Sequence, residues 1–198
     1  DVPVPAPLDP ARLVEAIPAE KDVEGVTAQN LGRLYAQKSW DAIKKAEVLV
    51  PCTANAIAHL VLEAKVPLAG RHAVVVGRST IVGRPTAHLL STLDATVTLC
   101  HSKSADLARY VADADVLVTA LGKPGAVKGA WVKPGAVVAD AGISTQEGQL
   151  VGDVEAASAA QRAAWLTPVP GGVGPLTVTF LLYNTVLAAE RRTRKTLG

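Results

Sequence analysis

The chain has 198 residues, 49% hydrophobic and 19% charged, enough apolar material for a sizeable core in one domain or two small ones, which excludes a disordered chain. Its 20 basic and 18 acidic residues leave a net charge of +2, with one mild cluster at Arg191-Arg192-Thr193-Arg194-Lys195, so no footprint for nucleic acid exists. Two cysteines, Cys52 and Cys100, are too few for a disulfide framework and no Cys/His spacing suits zinc, so reduced, partly buried thiols and no metal are expected.

No apolar run approaches the ~18 residues that span a membrane, and no charged-then-apolar leader opens the chain, so a cytoplasmic protein without a membrane partner is expected. The sequence holds no methionine and opens at Asp1 inside the Pro-rich Val2-Pro3-Val4-Pro5-Ala6-Pro7, so Asp1 is not expected to be the native start.

Asp9 and Pro10 form a start signal for a short helix through Ile17, since aspartate caps well and proline suits the first helical position. A charged, solvated loop follows at Glu20–Gly25. Pro51-Cys52-Thr53 then precedes an apolar run from Ile57, which predicts a helix through about Glu63 with Thr53 as its cap. From residue 71 the pattern alternates. The β-branched runs His72–Val76, Thr96–Cys100, Val116–Ala120 and Ala136–Ala139 predict strands, with Trp165–Thr167 as a fifth, and a helix is expected from Ile81 to Leu93. Such alternation predicts an α/β fold, a Rossmann-like parallel sheet with helices on both faces and ligands at the carboxyl ends of the strands. A long last helix, Pro175 to Arg194, comes after the sheet is complete and is expected to return to the N-terminal portion.

Glycines and polar residues fall at the strand ends. Gly77-Arg78-Ser79-Thr80-Ile81-Val82-Gly83 joins the first strand to its helix, as a phosphate-binding turn would, although Gly-x-x-x-x-x-Gly is not the standard dinucleotide spacing. The second strand ends in Cys100-His101-Ser102-Lys103-Ser104, where a carboxylate would normally accept from the ribose hydroxyls; here the first acidic residue is Asp106. Basic and hydroxyl groups, with Arg78 as a further cation, favour a 2′-phosphate and hence NADP, the alternative being a polar strand end with no ligand. Leu121-Gly122-Lys123 and Gly142-Ile143 end later strands. The four histidines are scattered, with His59 and His88 expected on helix surfaces, and no Gly-x-Ser-x-Gly elbow exists. The restricted backbone of Pro168-Val169-Pro170-Gly171-Gly172-Val173-Gly174 suits packing against a flat polar ligand better than a plain connection.

Seven motifs taken in order resemble one family, the bifunctional methylenetetrahydrofolate dehydrogenase/methenyltetrahydrofolate cyclohydrolases. They are Lys21-Asp22-Val23-Glu24-Gly25, Asn30-Leu31-Gly32-Arg33-Leu34, Pro51-Cys52-Thr53, Val75 to Pro85, Ala95 to Lys103, Gly152-Asp153-Val154 and Thr167 to Pro175. The resemblance implies an N-terminal folate-binding lobe, of which residues 1–50 are the remainder, an NADP-binding Rossmann domain over 51–167, and a folate-site loop with a returning helix over 168–198. It implies NADP as cofactor, tetrahydrofolate derivatives as substrates and a homodimer. The activities would be oxidation of 5,10-methylenetetrahydrofolate and hydrolysis of the methenyl product to 10-formyltetrahydrofolate. Gly77, Arg78, Ser79, Ile81, His101, Ser102, Gly122 and Ile143 would contact the cofactor. Asp1, Glu24, Pro170, Gly171, Gly172, Val173 and Gly174 would contact the folate, with Glu24 also the catalytic carboxylate at the pterin.

Departures from the pattern fall on the hydrolytic pair and on the substrate site. The family's Tyr-x-x-x-Lys has no equivalent here, Tyr35-Ala36-Gln37-Lys38 having the wrong spacing. Asp1 stands where glutamine is usual, and Glu24 where aspartate is. A non-catalytic NADP-binding relative and a dehydrogenase for another small substrate are the alternative readings.

Overall fold

The computed structural model describes residues 5–197. Four helices come first: α1 (Pro10–Glu15), α2 (Ala28–Tyr35), α3 (Trp40–Lys45) and α4 (Cys52–Glu63). The alternating part follows as β1 (His72–Val76), α5 (Gly83–Thr92), β2 (Thr96–Cys100), α6 (Leu107–Ala112), β3 (Val116–Thr119), a 3-10 turn at Gly129–Trp131 and β4 (Val137–Asp140). A hairpin of β5 (Ser144–Gln146) and β6 (Gln149–Val151), then α7 (Ala156–Ala159), β7 (Trp165–Leu166) and α8 (Val173–Leu197) complete the chain.

The five predicted strands form one parallel sheet, as the sequence predicts, and their order is β2-β1-β3-β4-β7. Successive strand residues point to opposite faces, so each strand feeds two cores. Ala73 and Val75, Val116 and Val118, and Val137 and Ala139 face α4, α5 and the start of α8. Val74, Val76, Leu117 and Val138 face α6, α7 and the segments around Val127 and Val132. Burial on both sides is why the strands read as continuous apolar runs.

Several boundaries move. The Asp9 carboxylate accepts from the Ala11 amide, as expected of that cap. Thr53, by contrast, is not a cap. The helix starts two residues earlier, with Pro51 at the capping position and no side-chain bond, because Pro51 already sets the turn geometry. The Ser79 hydroxyl accepts from the Val82 and Gly83 amides, each at 3.2 Å, which holds Ile81 and Val82 in the turn and delays α5 to Gly83. Helices α2 and α3 lie where the sequence reading placed no element. Both carry side-chain caps, Thr27 on the Asn30 amide and Ser39 on the Ala42 amide.

Leu34, Ile43, Val48 and Val50 of the N-terminal part pack with Ala54 and Ala58 of α4 and Leu89 of α5. His88 is not a surface residue: it is half-buried, its Nε2 lies 3.0 Å from the Leu34 carbonyl, and its ring meets Tyr35 edge-on. His59 is exposed but its ring lies between Trp40, met edge-on, and Phe180, met at a tilt.

Helix α8 returns across the N-terminal part. Val173–Arg194 is by length and composition long and apolar enough to cross a membrane, which corrects the expectation that no such run exists. Its inner face is committed to protein: Val173 joins the core beside α4, and Leu187 and Ala188 pack on Leu49. Its outer face exposes Val178, Leu182, Tyr183 and Val186. The buried Asn184 amide donates to the carbonyls of Val23 at 2.8 Å and Val50 at 3.0 Å, and Arg194 pairs with Glu47 at 2.9 Å. Replacing Asn184→Ala strands the buried Val50 carbonyl and leaves that of Val23 with only the weak Cys52 Sγ donor, so urea unfolding should show a loss of about 1–3 kcal/mol.

Candidate functional site

The carboxyl edge of the sheet gathers most of the predicted cofactor residues. β1 runs directly into Gly77, whose φ of +121° is open to glycine and whose ideal Cβ would strike the Ala120 carbonyl. A Cβ on Gly83 would in turn strike the Gly77 carbonyl. The unusual spacing therefore has a physical reason. The two glycines meet backbone to backbone, closing the turn with both side chains absent and leaving Arg78, Ser79 and Ile81 on its exposed rim.

Beside this turn, β2 ends in a compact loop. The Gly77 amide donates to the Cys100 carbonyl at 2.9 Å, tying the two loops together. The His101 amide donates to the Ser104 hydroxyl at 2.9 Å, and the Lys103 amide to the His101 Nδ1 at 3.1 Å, which fixes the half-buried imidazole and leaves Ser102 and Lys103 exposed. Asp106, the nearest acidic residue in sequence, accepts from the Arg109 amide as the cap of α6.

Beyond β3 and β4 the edge is organised by two buried carboxylates to which the sequence reading gave no role. The Asp153 carboxylate accepts from the three successive amides of Leu121, Gly122 and Lys123, the first contact being the shortest and the third 2.6 Å. Asp140 accepts from the Thr119 hydroxyl at 2.9 Å and from the amides of Gly142, Asp153 and Val154 at 2.9, 3.1 and 2.9 Å. Burial pushes the Asp140 carboxyl up from the usual carboxylate range, while the Val154, Gly142 and Asp153 amides and the Thr119 hydroxyl pull it back down. Gly122 and Ile143 stand on the outer side of this framework, both exposed.

The substrate-side expectations divide. Glu24 is exposed on a turn whose neighbour Asp22 is buried and occupied, accepting from the Val26 and Thr27 amides and the Asn30 side chain. Val23, next to Glu24, is held by Asn184. Pro170 and Gly171 are exposed and Gly172 half-buried, but Val173 and Gly174 already belong to α8, and the Val173 side chain lies in the core. Asp1 lies outside the described residues. Cys52 is no nucleophile: burial, with Glu24 nearby, pushes its thiol up to about 12, and its Sγ donates to the Val23 carbonyl at 3.4 Å. Both cysteines are free and buried. Among the described residues no His, Cys, Asp or Glu cluster suits a metal. A cavity of about 710 Å³ lies at the opposite end of α8, between Arg33, Glu47, Ala188 and Arg191, away from the sheet edge.

A parallel sheet with helices on both faces, a glycine turn after its first strand and a reversal of strand order beside that strand define a dinucleotide-binding fold. The chain belongs to the tetrahydrofolate dehydrogenase/cyclohydrolase family, whose NAD(P)-binding domain matches residues 51–193. It is similar to the bifunctional protein FolD of Geotalea uraniireducens, 50% identical over 96% of this chain and 66% of that protein. FolD of Acidithiobacillus ferrooxidans is 49% identical over 96% of this chain and 64% of its own length. A solved structure of the Trypanosoma brucei methylenetetrahydrofolate dehydrogenase-cyclohydrolase, in complex with NADP cofactor and inhibitor, superposes with a TM-score of 0.88 at 41% identity, over 98% of this chain and 66% of that one. The chain thus spans just under two thirds of the length of these relatives.

Gly83→Ala drives a methyl into the Gly77 carbonyl and should cost about 2–4 kcal/mol in urea unfolding. Gly32→Ala, inside α2 where an added Cβ meets nothing, should instead gain about 1 kcal/mol.

Proposed function

We propose that this chain binds NADP and provides the cofactor side, with part of the folate side, of an enzyme that oxidises 5,10-methylenetetrahydrofolate to 5,10-methenyltetrahydrofolate. The observation that carries the NADP reading is the end of β2. His101, Ser102 and Lys103 stand there with Arg78 on the adjoining turn, and Asp106 is taken up in capping α6, so a ribose hydroxyl finds no carboxylate and a 2′-phosphate finds cations. The residues fit the cofactor: the Gly77–Gly83 contact leaves a side-chain-free turn for the pyrophosphate, with Ser79 and Ile81 beside it. Gly122 and Ile143 would border the nicotinamide half.

Bound NADP would supply the hydride acceptor. The chain's own groups bind and orient: Glu24 accepts hydrogen bonds from the pterin, and Pro170 to Gly174 lie along the folate. Hydride transfer depends chiefly on that near-attack geometry. Hydrolysis of the methenyl product to 10-formyltetrahydrofolate, the second activity of this reading, needs positioned proton-transfer groups as well, and within these 198 residues no Tyr-x-x-x-Lys supplies them, so that step draws on groups other than Glu24 and the folate loop. In this reading residues 1–50 belong to the folate lobe, 51–167 to the NADP domain and 168–198 to the folate loop and returning helix. The protein acts as a cytoplasmic homodimer without nucleic-acid or membrane partners. A non-catalytic NADP-binding relative is the second reading.

Titration with NADPH and NADH tests the cofactor assignment. Arg78→Ser should weaken NADPH about tenfold and leave NADH unchanged; equal affinity of the unmodified chain for both nucleotides would overturn it. Reduction of NADP followed at 340 nm with 5,10-methylenetetrahydrofolate separates the enzyme from the non-catalytic relative.

A further inference from the structure

The NADP reading uses the Gly77 turn and the end of β2 but leaves unexplained why two carboxylates lie buried under the other half of the same edge. Asp153 is 0% and Asp140 3% exposed. Buried carboxylates are costly unless fully hydrogen-bonded, and these two meet that condition by taking their donors almost entirely from loop backbone. Asp153 collects the three amides that follow β3. Asp140 joins the end of β3, through Thr119, to the loop after β4, through Gly142, and to the return of the hairpin, through Asp153 and Val154. The loops lie directly on the carboxylates. A Cβ on Gly142 would strike the Asp153 carboxylate, and one on Gly152 the Asp140 Oδ2.

This has a chemical effect on the edge. Three successive amides converging on one point form a nest that would bind a phosphate. Here the nest is filled from inside by Asp153, so an incoming pyrophosphate finds free donors at the Gly77 turn and not after β3. In the strand order β2-β1-β3-β4, the adenosine half falls over β2 and the other half over β3 and β4, where Gly122 and Ile143 stand.

We propose that Asp153 and Asp140 are positioning residues for the nicotinamide half of the cofactor. Asp153 neutralises the Leu121–Lys123 nest and so fixes the register in which the dinucleotide crosses the sheet, and Asp140 locks the Gly142–Ile143 loop to the same point. The inference rests on the NADP reading.

The test compares two probes on the same chain: NADPH, and 2′-phosphoadenosine 5′-diphosphoribose, which lacks the nicotinamide. Asp153→Asn keeps the size of the side chain but removes the charge and turns an amino group or a weaker acceptor toward the three amides. It should weaken NADPH about tenfold and leave 2′-phosphoadenosine 5′-diphosphoribose within a factor of two. A general loss of structure would weaken both. Thr119→Val, which deletes only one donor to Asp140, gives a milder version of the same split and serves where Asp153→Asn fails to fold. Equal weakening of both probes, or none of either, by a folded variant overturns the inference while the NADP reading stands. Failure of the unmodified chain to bind NADPH overturns both.

Discussion

A parallel sheet ends in unpaired backbone groups, and in this molecule the carboxyl edge must satisfy them while remaining open to a ligand. Over β1 and β2 local groups serve that purpose: the Gly77 amide donates to the Cys100 carbonyl, the Ser79 hydroxyl takes up the Val82 and Gly83 amides, and the Ser104 hydroxyl that of His101. Over β3 and β4 the requirement is met internally, by two carboxylates that take up the loop amides. This constraint orders the whole edge. It holds the hairpin β5–β6 against the sheet, ties β7 in through the Thr167 hydroxyl, which accepts from the Asp140 amide at 2.8 Å, and makes Gly142 and Gly152 obligatory as the points where backbone passes over a carboxylate.

Where a segment's fate depends on its own residues, the sequence predicts it closely. His72–Val76 and Thr96–Cys100 are strands over the same residues in the structure, because runs rich in β-branched residues have no competing local preference, whether buried as in β1 or half-buried at the sheet edge as in β2. The short helices α2 and α3 go unplaced although α2 carries Leu31, Leu34 and Tyr35 at helical spacing; both are only a turn or two long, and their burial comes from distant α4 and α5. That spacing in α2 and the caps Thr27 and Ser39 are the available signals. Thr53 shows the converse case, a residue with the chemistry of a cap at a position where the preceding proline has already started the helix.

The candidate site divides along the same line. The Gly77 turn and the basic end of β2 are contiguous segments whose chemistry is visible in the string of letters. Asp140, Asp153 and Asn184 are not, since each acts on backbone groups that the fold, not the sequence, brings near. Asp153 reaches amides 30 to 32 positions away, and Asn184 carbonyls 134 and 161 away. Gly152-Asp153-Val154 was recognisable as a motif, but a motif without its partners does not say what it holds.

One consequence follows from Asn184 sitting on the same helix that begins at the glycine-rich loop. Helix α8 is a ruler. The turn carrying Glu24 hangs from its Asn184 and the Pro170–Gly172 loop feeds its first residue, so their axial separation is set by residue count, on the order of 15 Å between Gly174 and Asn184 at the usual helical rise. A single inserted residue between them would lengthen that distance little but rotate Asn184 by about 100°, away from both carbonyls at once. Length in this segment is therefore more tightly constrained than composition: the outward Val178 and Leu182 are open to exchange, while the number of residues between Gly174 and Asn184 is not.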